Sequence, residues 1–103
     1  MSDKRLSILE QMTQSGQADT FAWYGLAMEY RKRERWDDAL RTFETLRERE
    51  PTYVPQYLMC GQMLAERGDV DAAEEWLEQG IEQAEEAGDM HALSELNDAL
   101  GAL

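Results

Sequence analysis

Cys60 and His91 are the chain's one cysteine and one histidine, and a thiol activated by an imidazole is the simplest chemistry they could offer. The two would have to meet in space. Cys60 falls within an apolar periodic run and reads as a small buried apolar residue. His91 reads as solvent-facing, near the start of a final helix. No catalytic residues are expected, and the chain does not read as an enzyme. A zinc site needs three or four clustered Cys, His or carboxylate ligands, so no metal is expected. No glycine-rich phosphate loop occurs, and no cofactor is expected. Carboxylates are plentiful, but abundance does not make an acid–base pair in a pocket. Glu74, Glu78, Glu82 and Glu86 recur at four-residue spacing, with Glu75 and Glu85 beside them. That spacing lays them along one helix stripe, which reads either as a solvated face or as a docking strip for a basic partner.

Charge narrows the partner classes. The formal net charge is −12 at pH 7. A nucleic-acid surface needs clustered Lys and Arg, and an anionic membrane repels such a chain, so neither partner is expected. The charge is also lopsided. Residues 1–53 carry 9 bases against 10 acids, whereas residues 54–103 carry Arg67 alone against 12 acids. A single cysteine excludes an intramolecular disulfide framework. No apolar run resembles a signal peptide, and none approaches the roughly 18 residues of a membrane span. These features predict a soluble cytoplasmic protein.

The elements that must position any site read as helices. Six are predicted, over about 3–14, 18–33, 37–49, 54–67, 71–86 and 89–101. Pro55 suits the first turn of its helix, and Gly16, Gly68 and Gly88 mark turns between periodic segments. Asp37 and Asp71 each precede an apolar-periodic run and are expected to be N-caps. Short connections predict antiparallel neighbours.

One period organises these helices. Trp23, Leu26, Ala27, Tyr30, Ala39, Phe43 and Leu46 recur 34 residues later as Tyr57, Cys60, Gly61, Leu64, Ala73, Leu77 and Gly80. The run Trp23-x2-Leu26-Ala27-x2-Tyr30, then Ala39-x3-Phe43, Leu46 and Pro51, resembles a tetratricopeptide repeat, a 34-residue helix–turn–helix unit. The match is close over 20–53 and looser over 54–87. Ala27 with Ala39, and Gly61 with Ala73, are small where paired helices cross. Glu34 stands where the family usually has a turn glycine, which Gly68 keeps. Gly80 stands for a common alanine, at a helix cost of about 1 kcal/mol. Glu85 replaces the closing proline, so its helix is expected to run longer. The resemblance implies an all-α fold, an α–α superhelix of about six antiparallel helices. The expected organisation is one domain over 1–103. It has a half-repeat helix at 3–17, repeats at 20–53 and 54–87, and a capping helix at 88–103. Arg5 and Glu95 put bulky charge where the repeats are small, so the chain reads as a complete short solenoid.

In this family the first helix of each repeat lines a concave groove. The positions so implied are Phe21, Tyr24, Met28, Arg31 and Lys32, then Leu58, Gln62, Ala65 and Glu66, with Ala92, Leu96 and Leu100 from the last helix. These side chains either bind a partner or pack on a neighbouring helix. The expected function is a protein-interaction scaffold that takes a peptide or amphipathic helix of another protein in this groove. A clamp for a terminal carboxylate is not expected, because Tyr24, Met28, Leu58 and Gln62 stand where it needs Lys, Arg and Asn. The alternative is a structural homodimer through the groove or the last helix, with Leu93, Leu96, Leu100 and Leu103. For the cluster Arg31, Lys32, Arg33 and Arg35, the expected role is pairing with acids such as Glu66 and Asp69.

Overall fold

The computed structural model describes residues 3–103, and among these it holds six helices and no strand. The elements are α1 (Lys4–Gln14), α2 (Thr20–Lys32), α3 (Trp36–Arg49), α4 (Pro55–Glu66), α5 (Val70–Ala87) and α6 (Met90–Gly101). The chain divides into two compact units, the first ending at Glu50 and the second spanning Pro51–Leu103.

In the first unit α2 packs on both α1 and α3. Each helix buries one stripe: Leu6 and Leu9 on α1; Ala22, Leu26, Ala27 and Tyr30 on α2; Ala39, Thr42, Phe43 and Leu46 on α3. Steps of three and four residues put these side chains on one helical face. Ala27 and Ala39 are wholly buried, as the small-residue positions require. The Tyr30 hydroxyl donates to Glu10 at 2.6 Å and ties α1 to α2.

The second unit repeats the plan. Its α5 packs on α4 and α6, and α4 also touches α6. Two glycines set how close the helices come. A Cβ on Gly61 would lie 2.6 Å from Leu77 Cδ2, and one on Gly80 would lie 2.5 Å from Tyr57 Cβ and 2.9 Å from Leu96 Cδ2. Carbon atoms pack at about 3.5–4.0 Å, so any larger residue would push the helices apart. The cost of Gly80 in a helix therefore has a structural return in this close approach. Tyr57 is fixed there by its hydroxyl, which donates to the Pro51 carbonyl at 2.5 Å, and by its ring, 5.9 Å from Trp76. Without the closing proline, α5 runs 18 residues against 14 for α3.

The helix C-termini repeat one hydrogen-bond scheme. The N–H groups of Glu34 and Arg35 donate to the carbonyls of Arg31 and Tyr30. Gly68 and Asp69 do the same to Ala65 and Leu64, and Gly88 and Asp89 to Glu85 and Ala84. This is the Schellman closure, which needs a left-handed residue just past the helix. Gly68 and Gly88 take that conformation freely, with φ 83° and 68°, whereas Glu34 adopts it at φ 59° with a side chain.

These turns correct the expected caps. Each closure ends at position 34 or 68, so α3 starts at Trp36 and α5 at Val70. Asp37 and Asp71 then lie inside the first turn, too late to cap, where their charge still favours the helix N-terminus. The caps are Asp19, Asp69 and Asp89, whose Oδ1 atoms accept from the N–H groups of Ala22, Ala72 and Ala92 at 2.9, 3.3 and 3.0 Å. Arg35 holds the corresponding place before α3 and has no carboxylate to offer.

Candidate functional site

Two recesses lie between α4 and α6 in the second unit. The first, about 300 Å³, is lined on the α4 side by Val54, Pro55, Leu58 and Met59, and on the α6 side by Asp89, His91, Ala92, Glu95 and Leu96. The second, about 320 Å³, is lined by Gly61, Gln62, Ala65 and Glu66, by Leu77 of α5, and by Ala99, Ala102 and Leu103. The early residues of both helices flank the first recess and the late residues flank the second. The two therefore follow one groove along α4 and α6. Its floor is aliphatic, and Glu66, Asp89 and Glu95 stand at its edges.

The repeat explains why these side chains meet. Pro55, Leu58, Gln62, Ala65 and Glu66 lie 34 residues after Phe21, Tyr24, Met28, Arg31 and Lys32. A further 34 residues gives Asp89, Ala92, Leu96, Ala99 and Leu100. All of these second-unit residues except Leu100 line one of the two recesses. The same helical face is thus presented by α4 and by α6, and Gly80 sets how deeply Leu96 of α6 seats beneath it.

Among the positions expected from sequence, Leu58, Gln62, Ala65, Glu66, Ala92 and Leu96 come together in this groove. Leu96 is only 1% exposed, so it forms floor rather than rim. Phe21, Tyr24, Met28, Arg31 and Lys32 occupy one stripe of α2 in the first unit. Phe21 is 73% exposed, Lys32 is exposed, and the other three are half-buried. Leu100 is half-buried and lines neither recess; Ala99 takes that place. Met59, Glu95, Ala99, Ala102 and Leu103 were not among the expected groove residues. Carrying the helical stripe one residue to either side of Leu58, Leu96 and Leu100 would have reached Met59, Glu95 and Ala99.

Electrostatics separate the two units. Arg33 is hydrogen-bonded to the Glu29 carboxylate and lies 3.7 Å from Asp3, and Arg35 holds Asp38 at 2.8 Å while stacking 4.7 Å over Tyr30. Both arginines thus find acids in their own unit. The Arg33 hydrogen bond holds the Glu29 carboxyl below its usual range, against the opposing effect of burial. Burial and the Glu10 carboxylate push the Tyr30 phenol up to about 12. In the second unit Glu74, Glu78, Glu82 and Glu86 are all exposed, on the face of α5 opposite its buried Ala73, Trp76, Leu77, Gly80 and Ala84.

Cys60 is wholly buried, and the His91 side chain is 86% exposed, 3.5 Å from Glu95. Among the described residues no three or more His, Cys, Asp or Glu side chains are grouped to hold a metal ion. No helix among them is long and apolar enough to cross a membrane.

The family model for the tetratricopeptide repeat matches residues 30–96. The chain belongs to the tetratricopeptide repeat family. A tetratricopeptide repeat domain protein from Salinibacter ruber, solved by crystallography, shares 40% identity at a TM-score of 0.74, over 81% of this chain and 92% of its own. A solution structure of a tetratricopeptide repeat domain protein from the same organism gives 40% identity, a TM-score of 0.75 and coverage of 80% and 83%. A Bordetella parapertussis protein, solved in solution, is 27% identical at a TM-score of 0.80, over 94% of this chain and 84% of its own. Comparison with curated proteins found no match. The family's repeats generally mediate protein–protein interaction.

Proposed function

We propose that this protein is an interaction module whose α4–α6 groove receives an apolar or amphipathic segment of another protein. The supporting observation is the coincidence of repeat position with open space. Of the ten residues that lie 34 or 68 positions after Phe21, Tyr24, Met28, Arg31 and Lys32, nine line the two recesses, Leu100 being the exception. An apolar floor with polar groups at its edge suits a partner helix better than a small polar substrate. On this reading, the stripe Phe21, Tyr24 and Met28, with Arg31 and Lys32 at its end, is the equivalent contact face of the first unit. The chain acts by binding rather than by catalysis, and a cytoplasmic location belongs to the same reading.

Affinity capture from a lysate of the cells of origin tests this. Wild-type protein is compared with Leu58→Asp, which places a charge on the groove floor, and with Tyr24→Ala/Met28→Asp on the α2 stripe. A binder retained by wild type and lost from Leu58→Asp, with helical circular dichroism unchanged, is the expected result. A binder held equally by all three proteins would refute the groove assignment.

A further inference from the structure

Resting on that groove reading, we propose that the occupant is a basic amphipathic helix bearing two apolar side chains about seven residues apart. The spacing comes from the groove. Its first recess lies beside Leu58 and its second beside Ala65. Seven residues of α-helix advance about 10 Å, so residues i and i+7 of a helix laid along α4 reach one recess each. Side chains at those positions lie on one face of that helix, and its remaining surface meets the groove edges.

The charge of the occupant comes from those edges. Glu95 and Asp89 flank the first recess and Glu66 flanks the second. From Pro51 to the end, Arg67 is the single Lys or Arg, against 12 acids. A cationic helix is drawn to this unit from a distance and meets carboxylates on arrival, while an anionic one is repelled at both stages. The same arithmetic disfavours a second copy pairing groove to groove, because that would oppose two units of −11 each.

Three synthetic 14-residue helical peptides test the proposal. They share Leu at two positions seven apart and differ only in carrying Lys, Gln or Glu at the other surface positions. Each is titrated into the full chain, followed by backbone amide shifts at about 50 and 300 mM salt. The expected result is that the Lys peptide perturbs Leu58, Ala65, Ala92 and Ala99. It binds at least about tenfold tighter than the Glu peptide and weakens several-fold at the higher salt. Glu66→Gln/Glu95→Gln then lowers affinity for the Lys peptide several-fold more than for the Gln peptide. Equal binding of all three peptides at α4 and α6 would overturn the basic-partner proposal and leave the groove reading standing. Lys-peptide shifts confined to α5 would overturn it in favour of the acidic stripe. No shift on α4 or α6 with any peptide at millimolar concentration would overturn both. A doubled solution mass abolished by Leu58→Asp would make a second copy the occupant and overturn the proposal.

Discussion

Replacing Gly80 with Ala should destabilise the protein, although helix propensity alone argues the reverse. In a helix interior Ala is favoured over Gly by about 1 kcal/mol. The added Cβ, however, would stand 2.5 Å from Tyr57 Cβ and 2.9 Å from Leu96 Cδ2. The Leu96 methyl can rotate, but Tyr57 Cβ is attached to the α4 backbone. Tyr57 as a whole is 2% exposed, with its hydroxyl bonded to Pro51 and its ring beside Trp76. Relief therefore requires α4 and α5 to separate by about 1 Å, which forfeits contacts along the whole seam. Overpacking of this kind costs about 1–3 kcal/mol. A methyl jammed against backbone-anchored carbon lies at the upper end, leaving about 2 kcal/mol of net destabilisation after the propensity gain. Urea melts followed by circular dichroism read this out, with Gly101→Ala as the control. Nothing lies within 4 Å of a Cβ at Gly101, so that change should be neutral or slightly stabilising. If Gly80→Ala were as stable as Gly101→Ala, the close approach of α4, α5 and α6 would be refuted. The seating of Leu96 beneath the groove would fall with it.

Glu34→Gly should raise stability by about 0.5–1 kcal/mol, because it relieves a left-handed residue of a strain of about 1–2 kcal/mol and gives part back as chain entropy. A matched urea midpoint would show that the turn bears no strain. Tyr30 should make the fold alkali-sensitive. Its phenol titrates near 10 when unfolded and about 12 when folded, so its stabilisation is whole below pH 10 and lost as pH rises from 10 to 12. Tyr30→Phe should flatten that part of the stability–pH curve and cost about 1–2 kcal/mol at pH 7 through the lost bond to Glu10. An unchanged alkaline limb in the variant would place the sensitive group elsewhere.

Much of the helical framework was legible because it is local. Ala39, Phe43 and Leu46 sit at helical spacing, and their 34-residue echo identifies the repeat before any coordinate is known. The helix starts were less legible. An aspartate before an apolar run looks like a cap whether it stands at the boundary or one residue inside. What decides is the Schellman closure at Glu34 and Gly68, which fixes Arg35 and Asp69 as the boundary. Gly80 was legible as a departure from pattern but not as a necessity, since its reason is the distance to Tyr57 and Leu96 across two helix pairs. The groove was half legible. Repeat position gave Leu58, Gln62, Ala65, Ala92 and Leu96 and reaches Ala99 as well, whereas Met59 and Glu95 depend on how far α6 rotates against α4. That rotation follows from packing, which no single helix encodes.

A photo-crosslinking side chain placed at Gln62 in the groove, or at Glu78 on the exposed face of α5, tests the central claim most directly. Both positions are exposed, so neither replacement disturbs the core. Irradiation in the cells of origin should yield one partner adduct from position 62 that is absent from position 78 and is lost when Leu58→Asp is added. An adduct from position 78 alone, or one from position 62 that survives Leu58→Asp, would contradict a partner seated between α4 and α6.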